Sequence, residues 1–156
     1  MYENIGLTRG GTLCLSRSAV AEGTAAATLL LAAPNGAGTD FAIDGLIFHK
    51  ADVDNIAMNA QTVQAISTTC LYAVQLDSAG AVTIKKGVEV PTLDLTNGVK
   101  VLNWPLPDAA RCAIGYIKIV TGAAATFTSG TTDLSAAGIT ATYNSVVLPP
   151  VAPLTS

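Results

Sequence analysis

The chain has 156 residues, with 8 basic side chains against 11 acidic ones and a formal charge of −3. Charged residues make up 12% of the chain, against about 25% in an ordinary soluble domain, while hydrophobic residues reach 50% and aromatics only 5%. This length suits one domain with a real core; the lack of a basic run excludes an electrostatic footprint for nucleic acid, and no apolar run approaches the ~20 residues that span a bilayer.

The first segment, "MYENIGLTRGG", lacks both the basic start and the apolar stretch of a secretion signal, so nothing is expected to direct the chain out of a cytoplasm. Residues 1–12 read as an extended arm loosened by Gly10-Gly11. In "SRSAVAEGTAAATLLLAAP" the alanines favour helix, but Gly23, Thr24 and Thr28 oppose an unbroken one. The prediction is a strand from Thr24 to Ala33, ended by the turn "PNGAG". From Asp40 the period becomes two. "FAIDGLIFHKA" reads as one strand covered on both sides, with Phe41, Ile43 and Ile47 on one face and Ala42, Asp44, Leu46 and Phe48 on the other. Gly45 in its middle suggests a bulge or a close backbone approach. "DVDN" then reads as a turn, "IAMNA" as a short strand, and "QTVQAIST" as a helical turn or an irregular link.

"YAVQLDSAGAVTIKKG" predicts a half-buried hairpin. Tyr72, Val74 and Leu76 alternate with polar or small residues, Asp77 and Ser78 open a turn, and Gly80 suits its left-handed closing position. Lys85 and Lys86 near its end are expected to hinder edge-to-edge pairing. A long connection follows, "EVPTLDLTNGVKVLNWPLPDAAR", with a turn at Asn97-Gly98 and three prolines that exclude a central strand. A connection of this length is usually functional or packed against something. "CAIGYIKIVTG" is the strongest strand and is expected at the sheet centre, with Ile117 and Ile119 facing one way and Ile114, Tyr116 and Val120 the other. A last strand is predicted from Thr140 to Leu148, and "PPVAPLTS" must be extended. The sum is an all-β antiparallel sandwich or barrel of about eight to ten short strands. Its domain covers 13–148, between an N-terminal arm at 1–12 and a proline-rich C-terminal arm at 149–156.

Catalytic chemistry finds little support. Cys14, Cys70 and Cys112 are far apart and odd in number, which fits buried small hydrophobes in a reducing compartment better than disulfides or zinc. His49 is the only histidine, so any nucleophilic serine or cysteine has a single candidate base. His49, Asp52 and Asp54 are the only cluster of metal-ligand types, and turn carboxylates explain it more simply than a metal does. "GAGTD" and "TRGG" lack the Lys-Ser/Thr ending of a phosphate loop. No catalytic residue, metal or cofactor is therefore expected.

Surface chemistry is more informative. A body so poor in charge is expected to share part of its exterior with other subunits. Trp104, the only tryptophan, is either a core plug or an interface anchor. The candidate interface comprises Trp104 and Tyr143 with the apolar end of the chain: Val146, Val147, Leu148, Pro149, Pro150, Val151 and Leu154.

Several segments in order carry a resemblance over most of residues 40–148: the "IDG" strand, "KADVDNIAM", "YAVQLDSAGAVTIKKG", "AIGYIKIVT" and "FTSGTTDLSAAG". The chain resembles structural proteins of tailed-phage virions, of the head decoration, cement or head-fibre kind. The resemblance implies an all-β outer component of the virion that binds an assembled head shell, with the major capsid protein as partner. It also implies a small homo-oligomer, a trimer on a local symmetry axis being the favoured geometry, assembled in the cytoplasm of a bacterial host. The competing expectation is a receptor-binding or fibre-tip module that recognises a host glycan or protein, which needs a pocket near Trp104 or Tyr143.

Overall fold

The computed structural model describes residues 11–147. The arms expected over 1–12 and 149–156 lie outside the described residues, apart from Gly11 and Thr12. After β1 (Leu13–Cys14) comes a tight hairpin, β2 (Val20–Glu22) and β3 (Thr28–Leu31). The single strand expected from Thr24 to Ala33 is thus only the second limb of this hairpin. The turn forms because Gly23 N–H donates to Thr28 O at 3.0 Å and Ala27 takes a φ of +57°. A Cβ at position 23 would lie 2.2 Å from Thr28 Oγ1.

β4 (Thr39–Ile43) and β5 (Leu46–Lys50) are likewise two strands where the sequence reading gave one. Asp44 and Gly45 have φ of +51° and +82°, the doubly positive pair of a two-residue type I′ hairpin turn. The Asp-Gly signal lay inside an apolar run and was outweighed by it. β6 (Val53–Ala57) starts within "DVDN", which reads as a turn from sequence. Residues 60–67 form an irregular link joined by a single bridge from Gln64 to Phe127.

β7 (Thr68–Leu76) and β8 (Val82–Lys86) are the predicted hairpin, in the register Leu76 to Val82 and Val74 to Ile84. Asp77 Oδ1 accepts the N–H groups of Ala79 and Ala81, each at 2.9 Å, and Gly80 closes the turn at φ +75°. The half-buried reading fails for β7, which is buried along its whole length. One face, Cys70, Tyr72, Val74 and Leu76, enters the main core. On the other, Leu71 joins Val90, Leu95 and Leu102, with Trp104 packed against them. This second cluster exists because the long connection lies across the sheet, carrying β9 (Val90–Pro91) and a one-turn helix, α1 (Thr92–Thr96). Gln75, polar by pattern, is buried because Asp108 of that connection accepts from its amide and donates its own N–H back at 2.9 Å.

β10 (Cys112–Thr121) is central, as predicted, and β11 (Ile139–Ser145) ends three residues before the expected Leu148. The sheet order is β11-β10-β7-β8, with β9 also pairing β7. A bulge between Ala113 and Gly115 switches the phase of β10. Ile114 therefore joins Ile117 and Ile119 in the main core instead of facing away with Tyr116. Two three-stranded sheets, β1-β4-β5 and β2-β3-β6, lie against one face of the five-stranded sheet. All three sheets are open and antiparallel, so the fold is a sandwich and not a closed barrel.

The excursion from 122 to 138 packs back on the end of β6. Gly130 has φ +78°, and a Cβ there would fall 2.3 Å from Met58 O. Gly130→Ala is expected to cost about 1–3 kcal/mol through strain alone. Calorimetry should show a melting temperature several degrees lower; an unchanged one contradicts this packing.

Candidate interaction surface

The residues that sequence reasoning weighed for catalysis or metal binding, His49, Asp52 and Asp54, lie along β5, β6 and the link between them. His49 Nδ1 lies 2.7 Å from Asp40 Oδ1 across the β4–β5 pair, on the surface. No serine or cysteine is bonded to it among the described residues. Asp52 Oδ1 accepts the Ala33 N–H at 2.8 Å, and Asp54 Oδ1 accepts those of Thr24 at 3.0 Å and Asn55 at 2.7 Å. The Thr24 hydroxyl and N–H hold the Asp54 carboxyl below its ordinary range. These aspartates fasten turns to β6. Among the described residues no group of three His, Cys, Asp or Glu side chains could hold a metal ion.

The three thiols are free and buried. Burial pushes both Cys70 and Cys112 up to about 12 from an ordinary 9.0. A raised folded-state pKa favours the unfolded chain once its thiols ionise. Stability is therefore undiminished below about pH 9 and declines as the pH climbs toward 12. In native protein at pH 8 a disulfide reagent should label none of the three, and all three after unfolding. Rapid labelling of the folded protein contradicts their burial.

Large apolar side chains remain on the outside. Leu46 and Ile47, 66% and 73% exposed, follow the Asp44-Gly45 turn at one hairpin tip. Val63 and Ile66 on one segment, and Val88 and Leu93 on another, are also exposed. The two segments are drawn together because Glu89 accepts the Ala65 N–H at 3.0 Å, Lys86 Nζ donates to Val63 O at 3.0 Å, and Thr92 N–H donates to Ser67 O at 2.9 Å. Between the tip of the β4–β5 hairpin and residues 106–113 runs an open groove of about 440 Å³, lined by Thr12, Asp44, Leu106 and Arg111 among others. Two of its charged groups, Arg111 and Asp108, are already engaged. Arg111 donates to Thr83 Oγ1 at 3.0 Å, and Asp108 pairs with Lys85 at 2.8 Å. The Lys85 and Gln75 hydrogen bonds hold the Asp108 carboxyl below its usual range.

The candidate interface residues fall in different places. Trp104 is half-buried and stands edge-on to Tyr116 with ring centroids 4.8 Å apart, capping the second cluster. Tyr143 is half-buried against the main core, and its buried hydroxyl has no partner among the described residues. Burial raises the pKa of that hydroxyl, and Glu22 and Asp133 nearby add to the effect. Neither ring lines the groove. Val146 N–H donates to Ile114 O at 3.1 Å, and Val147 O accepts from Cys14 N–H at 2.9 Å, so the start of the tail is tied to its own domain. Leu148, Pro149, Pro150, Val151 and Leu154 lie outside the described residues. The sequence reading placed Leu46 and Ile47 in a covered strand. Their exposure follows from the Asp-Gly turn, which was the available signal. Comparison with known proteins finds no matching family model, no similar curated protein and no similar solved structure.

Proposed function

We propose that the chain is a non-enzymatic decoration or cement protein that binds the outside of a tailed-phage head shell and stabilises it. The observation that carries the reading is a sandwich with little charge that leaves large aliphatic side chains in water, at the β4–β5 tip and beside β9. Exposed apolar surface of this kind marks places meant for partners. The order of segments that resembles virion structural proteins supports the same reading. A cement protein meets a shell lattice many times, as a small oligomer whose weak contacts add by avidity. About 800 Å² per partner makes a standard lasting contact, and these two places are natural centres for it.

The test is add-back to undecorated heads of the phage that encodes the chain. Bound protein should raise the temperature at which the heads open, and Leu46→Ser with Ile47→Ser should weaken binding at least tenfold without lowering the melting temperature of the free protein. Heads that neither bind the protein nor gain stability from it contradict the proposal. A glycan array separates the receptor-binding alternative, which requires selective retention of a sugar.

A further inference from the structure

We propose that β11 is the edge through which two copies of this chain pair, antiparallel, about a two-fold axis at Tyr143. The inference is independent of the shell partner and rests on how the sheet edges are treated. An edge strand presents unpaired backbone groups, and proteins blunt such edges with charge, bulges, proline or covering groups. β8 is covered. Asn59 donates to Ile84 O at 3.0 Å and accepts from Ile84 N–H at 2.6 Å, while Gln61 donates to the same carbonyl at 3.1 Å. Two side-chain amides thus stand where a further strand would bond. Lys86, read from sequence as a guard of this edge, instead folds inward and donates to Thr62 O and Val63 O. β5 carries His49 and Lys50, and β6 carries Asp54 and a left-handed Asn55 at φ +57°. β2 is three residues long and ends in Glu22.

β11 has no such protection. "ITATYNS" contains no charge and no proline, and its pairing with β10 runs unbroken from Ile139 to Ser145. The bonds Gly122 N–H to Gly138 O, 2.8 Å, and Val146 N–H to Ile114 O, 3.1 Å, join directly opposed residues just beyond each end of that ladder. In an antiparallel ladder directly bonded pairs alternate with unbonded ones. Thr140, Thr142 and Asn144 therefore bond β10, and Ala141, Tyr143 and Ser145 turn N–H and C=O outward. None of the three has a partner on that side among the described residues. Beyond them, Val147 O is already taken by Cys14 N–H, which sets the end of the free stretch.

A second copy is the occupant this stretch fits. β11 brings no charge of its own into such a pairing, whereas the β5 edge carries Lys50 and the β6 edge Asp54. With the axis at Tyr143, residue 141 faces 145 of the other copy, and Thr142 faces Asn144, both exposed polar side chains on the outer sheet face. The contact is isologous and joins two five-stranded sheets into one. It is two-fold, unlike the three-fold ring that the resemblance implies.

Sedimentation of the full chain should give twice the chain mass, and Ala141→Pro should return it to a folded monomer. The lost N–H of residue 141 points outward, so the β10 ladder survives the substitution. A second measurement does not depend on that variant folding. Thr142→Cys with Asn144→Cys should form covalent dimers under mild oxidation, whereas Thr140→Cys with Asn144→Cys, out of register, should not; the three native thiols are buried. A wild-type monomer at high concentration, an oligomer whose mass Ala141→Pro leaves unchanged, or equal cross-linking in both cysteine pairs overturns the proposal.

Discussion

Gln64→Leu is expected to lower stability by about 2–4 kcal/mol, although leucine matches the size of the side chain it replaces. Gln64 lies in the irregular link and is fully buried. Its Nε2 donates to Thr68 O at 3.2 Å and to Ile119 O at 3.1 Å, and its Oε1 accepts from Tyr72 Oη at 3.1 Å. One amide thus satisfies groups on both central strands, β7 and β10. Its main chain exchanges two further bonds with Phe127. Leucine removes three buried hydrogen bonds, at about 0.5–1.5 kcal/mol each; Thr68 O keeps the Thr121 hydroxyl at 3.1 Å, whereas the Tyr72 hydroxyl loses its amide acceptor. Urea unfolding with an unchanged m-value measures the loss. The double variant Gln64→Leu, Tyr72→Phe should recover about 1 kcal/mol, because it removes the orphaned hydroxyl. A loss below 1 kcal/mol, or no recovery, contradicts the role of this amide.

Phe127→Ala is expected to cost a similar amount, about 3–5 kcal/mol. The ring is 1% exposed and stands edge-on to Tyr72 with centroids 5.6 Å apart. It anchors the 122–138 excursion, together with the buried Leu134 in the same core and hydrogen bonds such as Ser129 Oγ to Asn59 O at 2.9 Å. Truncation leaves a cavity that the flanking strands cannot close, since Tyr72 is held by Gln64. Loss of the anchor should also free the excursion before the sheet melts. Limited proteolysis should cut between 122 and 138 in the variant under conditions that leave the wild type intact. Equal resistance, with stability lowered by less than 1 kcal/mol, contradicts the assignment.

The five-stranded sheet was largely legible because its strands are long and their turns obey local rules. Asp77 and Gly80 mark one turn, and the β-branched run 114–120 marks the centre. The three-stranded sheets were misread because their strands are two to five residues long. At that length a turn occupies as much chain as a strand, and apolar periodicity runs straight through it, as it did through Asp44-Gly45. The second cluster under Trp104 was hidden for a different reason. Its partners, Leu71, Leu95 and Leu102, lie in a proline-rich connection and on the face of β7 that carries Gln75. Nothing in their spacing states that the connection folds over that face. The protection of β8 was equally invisible, since Asn59 and Gln61 meet Ile84 only through the fold. The exposure of Leu46 and Ile47 was legible in principle, because the Asp-Gly pair before them specifies a hairpin tip.

Cryo-electron microscopy of the phage particle that the proposed function implies tests that proposal most directly. The account predicts density for this sandwich on the outer face of the head shell, with Leu46 and Ile47 or Val63, Val88 and Leu93 buried against neighbouring subunits. A particle whose heads lack that density, or one that carries the sandwich only at a fibre tip with all of these side chains in solvent, contradicts it.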